Sequence, residues 1–173
     1  ARGAFSKGCE VAVDAVAQLQ LQDKGTSCGH LATVDHTLGN TTGMDLAFSK
    51  GFAAAPNSKL LLQLHIRTMT AGKRYKEAQK SLFHLYSFVR SAEVVRQIII
   101  NAILMDEKQQ ALEYMDQLLQ SRGAQPSDVE IKRRIEEAIK NGTPVDLKSP
   151  AKPPEIELPP PDVIRPRAPG GGN

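Results

Sequence analysis

Between residues 57 and 142, apolar side chains recur at helical spacing, and turn formers break the recurrence into five stretches. Pro56-Asn57-Ser58 offers a stop followed by a capping residue, which predicts a helix over about Lys59 to Thr70. Its Leu61, Leu62, Ile66 and Met69 fall on one face. Ala71-Gly72 predicts a turn, and Tyr75, Ala78, Leu82, Leu85 and Val89 then recur in steps of three and four. That is the stripe of an amphipathic helix, here about Arg74 to Val89. Ser91 can cap a third helix to about Met105, with Val95, Ile98, Ile99 and Ala102 inward. Asp106 turns the chain into a fourth, about Lys108 to Ser121, carrying Ala111, Met115, Leu118 and Leu119. Gly123 stops it. Pro126-Ser127-Asp128 then opens a fifth, about Val129 to Lys140, with Ile131, Ile135, Ala138 and Ile139.

The flanks read differently. Residues 1–56 hold 7 of the 13 glycines and predict one helix, about Glu10 to Gln22, whose apolar residues have no clean period. From Thr26 to Gly43 the polarity and glycine content predict loop. One pentapeptide, Ala4-Phe5-Ser6-Lys7-Gly8, returns as Ala47-Phe48-Ser49-Lys50-Gly51 and suggests a weak internal duplication or coincidence. Residues 143–173 hold 9 of the 11 prolines. Pro159-Pro160-Pro161 favours an extended conformation, while Ile156, Leu158, Val163 and Ile164 interleave apolar groups suited to a docking arm.

The helical region contains one pattern twice. Gly72-Lys73-Arg74-Tyr75-Lys76-Glu77-Ala78 and Asp106-Glu107-Lys108-Gln109-Gln110-Ala111 both open amphipathic runs, and their alanines stand 33 residues apart. A period of this length marks stacked helix pairs that share one core. A small side chain at Ala78 and Ala111 lets the first helix of each pair approach closely. The expected fold is therefore all-α, a short α-solenoid of about two and a half antiparallel helix pairs. It would comprise an irregular N-terminal extension (1–56), a helical-repeat domain (57–142) and an extended proline-rich tail (143–173).

Over about residues 58–142 the chain resembles the tetratricopeptide and pentatricopeptide repeat superfamily. Ala111-Leu112-Glu113-Tyr114-Met115 and Ser121-Arg122-Gly123-Ala124-Gln125-Pro126-Ser127-Asp128 are similar to the second helix and exit of a pentatricopeptide unit. Glu93 to Ser127 makes a unit of 35 residues, and Ala71 to Ala78 resembles the inter-helix turn of either family. The resemblance implies a helical scaffold that holds partners. The preceding unit, Leu60 to Ala92, has 33 residues and lacks the Gly-x-x-Pro exit. Positions that select bases in RNA-reading members fall on Gln63 and Arg96, where such members use Asn, Ser or Thr. Sequence-specific RNA readout is thus not what the resemblance implies.

Composition narrows the chemistry. Aromatics make up 5% of the chain and Trp is absent, so aliphatic side chains must supply the core. The net charge of +3 sits in residues 57–142, which carry 14 basic and 10 acidic groups. Lys73, Arg74, Lys76 and Lys80, with Lys132, Arg133 and Arg134, would form a basic edge open to an acidic protein or to RNA phosphates. Cys9 and Cys28 are expected as free thiols, with pairing as the alternative in an oxidising compartment. With His30 and His36 they match no compact zinc site. No acid–base pair, nucleophile arrangement or phosphate loop is recognisable, so neither enzymatic activity nor a cofactor is expected. No apolar run approaches the 18 or more residues of a membrane span. The start at Ala1 fits a processed chain or a fragment. Together these features predict a non-catalytic accessory subunit of an organellar assembly, mitochondrial or plastid, docking onto other protein subunits. The alternative is a pentatricopeptide-like protein that binds RNA along the basic edge.

Overall fold

A computed structural model of the chain describes residues 2–11 and 18–147. The described residues form eight helices and no strand, in agreement with the all-α expectation. They are α1 (Arg2–Glu10), α2 (Gln18–Thr37), α3 (Thr41–Ala54), α4 (Lys59–Ala71), α5 (Tyr75–Phe88), α6 (Ala92–Leu104), α7 (Lys108–Leu119) and α8 (Pro126–Asn141). The tail residues Ile156, Leu158, Val163 and Ile164 lie outside the described residues. No helix among the described residues is long and apolar enough to cross a membrane.

The repeat seen in the sequence is reproduced in local geometry. Ser58 and Ser91 cap α4 and α6 alike, each hydroxyl accepting the backbone N–H three residues on, from Leu61 and Val94. At the turns into α5 and α7, Lys73 (φ 58°) and Asp106 (φ 61°) are both left-handed. The backbone bonds coincide too: Arg74 N–H donates to Met69 C=O, and Glu107 N–H to Ala102 C=O. This αL turn satisfies the last carbonyls of a helix while reversing the chain. Ala78 and Ala111 are both fully buried, as a close helix approach requires.

The N-terminal region departs from expectation. Of the predicted helix over about Glu10 to Gln22, Glu10 closes α1 and Gln18 to Gln22 open α2, while residues 12–17 lie outside the described residues. The predicted loop from Thr26 to Gly43 is helical through Thr37 and again from Thr41. Moreover, Gly39 (φ 72°) and the Asn40 N–H bond to Asp35 C=O repeat the turn of the later hairpins. Residues 18–54 therefore form a third hairpin of the same local design. Glycine costs about 1 kcal/mol relative to alanine in a helix interior, which is why the pattern reads as loop. Close packing offsets that cost. A methyl group at Gly25 would stand 2.8 Å from Ala55 Cβ, and one at Gly29 2.9 Å from Leu61 and Leu64. The glycines let α2 lie against α3 and α4 while Cys28, Leu31 and Ala32 are buried.

The repeated pentapeptide gains a packing role. Its two copies fall on α1 and α3, the two helices that flank α2. The glycine of each copy approaches α2, Gly8 at Ser27 and Gly51 at Cys28. Phe5 stacks on His30, with ring centroids 5.1 Å apart. Helix α1 runs antiparallel to α2, held at one end by Arg2 Nε donating to the buried Asp35 at 2.7 Å. At the other end Cys9 and Cys28 form a disulfide. The expectation of free thiols is thus corrected. The antiparallel register brings two cysteines 19 positions apart side by side, which spacing alone does not reveal.

From α4 onward each helix packs on its neighbours in sequence. The core passes down the chain as three apolar clusters: α1 to α5, then α4 to α6, then α6 to α8. His65 sits at the first junction, edge-on to Phe48 and Phe52 and hydrogen-bonded through Nδ1 to Ser81 Oγ at 2.9 Å. Burial lowers its pKa to about 4; Glu77 and Asp45 pull it back up, and Arg74 adds to the lowering. An unfolded histidine titrates near 6.5, so between pH 6.5 and 4 the unfolded chain binds the extra proton. Stability present above pH 6.5 is therefore lost as the pH falls toward 4. The expected loss is about 2 kcal/mol at about pH 4.5, allowing for partial exposure of the ring. Urea unfolding of wild type and His65→Gln at the two pH values tests this. The variant should lose most of the pH dependence in that window; an equal slope in both proteins would refute the assignment.

Candidate interaction groove

The basic edge does not present itself as a row of free cations. Arg74 is held by Glu77 and Asp45, and Lys132 by Asp116 and Glu136. Arg133 pairs with Glu130 and Glu137. Arg134 pairs with Glu130 and also donates to the Asp146 carbonyl. Arg133 and Arg134 together hold the Glu130 carboxyl down to about 2. Lys73, Lys76 and Lys80 have no carboxylate partner among the described residues. The two groups also lie apart: α5 packs on α4 and α6, whereas α8 packs on α7. Arg96 is occupied as well, donating to both carboxylate oxygens of Asp128 and to the Gly123 carbonyl at 2.6 Å.

A different surface stands out between α4 and α6. Ile66, Arg67, Thr70 and Ala71 form one wall, Gln97, Ile100, Asn101 and Leu104 the other, and Leu82 of α5 the floor. The cleft measures about 420 Å³. Arg67 and Gln97 also border a second depression of about 220 Å³ with Leu60, Gln63 and Leu64, so the two form one groove. Leu60, Ile100 and Leu104 are between 41% and 45% exposed, a degree of solvation that leaves apolar surface uncovered along it.

Helix α5 packs on both α4 and α6, and Leu62 and Ile66 of α4 share one apolar cluster with Val94 and Ile98 of α6. Apolar residues occur on more than one face of α6: Ile98 and Ile99 go to the core while Ile100 remains at the surface. Asn101 is buried between, and its Nδ2 donates to the Tyr75 carbonyl at 2.9 Å and to Gln79 Oε1 at 2.7 Å. Gln79 in turn donates to Gln110, so this polar chain links α5, α6 and α7. Asn101 Oδ1, however, is buried without a hydrogen-bond partner. Such a group normally costs about 1–3 kcal/mol.

Among the described residues the only charge lining the groove is Arg67, exposed and without a carboxylate partner. No nucleophile–base pair or acid–base pair lines it. Cys9 and Cys28 are bonded to each other, and His30 is stacked on Phe5. Sequence reading noticed Gln63 but missed Arg67, Gln97, Ile100 and Leu104. The available signal was Ile98-Ile99-Ile100, a run too apolar for a helix that buries a single stripe. No family model, curated protein or solved structure matches this chain.

Proposed function

We propose that this chain is a non-catalytic docking subunit of a larger protein assembly, a short helical-repeat array that holds a partner in its α4–α6 groove. The observation that carries the reading is the groove itself: uncovered leucine and isoleucine around one cation that has no carboxylate partner among the described residues. At the ends of the array, helix α1 covers α2 and is fastened to it by the disulfide, and α8 exposes Arg133, Glu136, Glu137 and Lys140 alongside Val129 and Ile139. A charged outer face is typical of a terminal capping helix. The tetratricopeptide or pentatricopeptide likeness and an organellar setting belong to the same proposal. The disulfide narrows that setting to a compartment oxidising enough for it to persist.

Ile100→Asp tests the reading. The side chain is already 43% exposed, so folding should change by only about 0.5 kcal/mol. A carboxylate buried against a partner's apolar surface costs about 2 kcal/mol or more, roughly thirty-fold in affinity. The tagged variant should keep its helical circular dichroism yet be lost from the assembly isolated with the wild-type chain. Full retention would remove the groove from consideration. RNA binding at low salt that depends on Lys73, Lys76 and Lys80 would replace the proposal with the RNA reading.

A further inference from the structure

We infer that the segment held in the α4–α6 groove belongs to a partner protein and carries a carboxylate flanked by apolar side chains, the carboxylate pairing with Arg67. The inference rests on the docking reading above and names the chemistry of its partner. Charge complementarity is its main support. Arg2, Arg74, Arg96, Arg133 and Arg134 each hold a carboxylate within this chain. Arg67, Arg90 and Arg122 hold none among the described residues, and of these three Arg67 is the one that lines the groove, where no described residue is acidic. A lone guanidinium set among Ile66, Ile100 and Leu104 selects one planar anion, which it can grip through two parallel bonds. Nucleic acid fits poorly, because phosphate recognition uses many cations and the groove offers one.

The rest of the lining fixes what flanks the carboxylate. Leu60 lies toward one end, and Ile100 and Leu104 lie with the floor residue Leu82 toward the other. Apolar partner side chains on both sides of the anion would cover them and exclude water from the ion pair. Desolvation of that kind strengthens the pair beyond a surface salt bridge. Gln63 and Gln97 can each serve a partner main-chain group in either sense.

The test places a benzophenone photo-crosslinker at Gln97, which borders both parts of the groove, in the full chain within its native assembly. The adducted peptide is then sequenced. The expected product is a segment of another protein with an aspartate or glutamate among apolar residues. Arg67→Gln should lower its yield roughly ten-fold, and Arg67→Lys should restore part of it. Three results would overturn the inference: an adduct peptide with no acidic residue, a yield indifferent to Arg67→Gln, or an adduct to residues 148–173 of this chain or of a second copy. The docking reading fails separately. If position 97 gives no adduct while a crosslinker at Lys140 on α8 does, the partner sits elsewhere and both readings fall.

Discussion

Replacing Cys9 and Cys28 together with serine should lower the unfolding midpoint by about 10 °C, and reducing the wild-type bridge should do the same. The effect originates in the unfolded chain. Closing a loop between positions 19 apart removes conformational entropy from the denatured ensemble worth about 3 kcal/mol. For a chain of this size each kcal/mol shifts the midpoint by about 2–4 °C. In the folded protein the effect is local. The bridge fastens the C-terminal end of α1, while the Arg2–Asp35 pair fastens the other. Asp35 is buried but Arg2 is about half exposed, so that pair alone is a weak tether. Without the bridge, α1 should exchange its amide hydrogens rapidly, whereas amides of α4 to α7 should change little near 25 °C. Thermal unfolding with and without reductant, and hydrogen exchange over residues 2–10, give the comparison. The double serine variant must be insensitive to reductant. A wild-type midpoint that ignores complete reduction would show that the bridge contributes no stability.

This prediction depends on a feature the sequence concealed. Helices α4 to α8 were legible because they obey local rules: serine caps at Ser58 and Ser91, an apolar stripe of period 3.6, and a proline at the start of α8. The hairpin of α2 and α3 obeys a different logic. Gly25 and Gly29 oppose helix formation locally and are stabilised only by what approaches them, namely Ala55, Leu61 and Leu64. Propensity reports the local cost and is blind to distant packing. One signal was available: Gly39-Asn40 stands 34 residues before Lys73-Arg74 and makes the same turn. The groove was concealed for a related reason. Its residues occupy two helices 33 positions apart, and what marks them is the absence of partners, which only the packed structure reveals.

Arg96 is the residue whose meaning changed most. The pentatricopeptide resemblance places it where a base-selecting side chain would stand, but it is the anchor of α8. Its Nε donates to Asp128 Oδ1 at 3.0 Å and its Nη2 to Oδ2 at 2.8 Å. Asp128 is 1% exposed and also accepts the Gln125 N–H at 2.7 Å, as one half of a capping box. One carboxylate therefore both starts α8 and ties it to α6. Asp128→Ala should cost about 3–4 kcal/mol, since it removes the cap and strands the guanidinium. Arg96→Met should cost a similar amount by leaving the buried carboxylate unpaired. The double variant should cost clearly less than the sum, with a coupling of about 2 kcal/mol in a double-mutant cycle. Acid should act in the same way. The Arg96 hydrogen bonds, helped by the Gln125 N–H, hold the Asp128 pKa below the ordinary aspartate value. A carboxyl lowered on folding contributes stability that is present above its unfolded pKa and is lost as the pH falls through its folded pKa. This loss should begin below about pH 4, where the loss due to His65 is levelling off. The two steps can be separated by urea unfolding across pH: His65→Gln removes the upper one, and Asp128→Asn the lower. Strictly additive single-variant costs, or an unchanged acid limb in Asp128→Asn, would mean that Arg96 and Asp128 do not act as one unit, and Arg96 would again be free to meet a ligand.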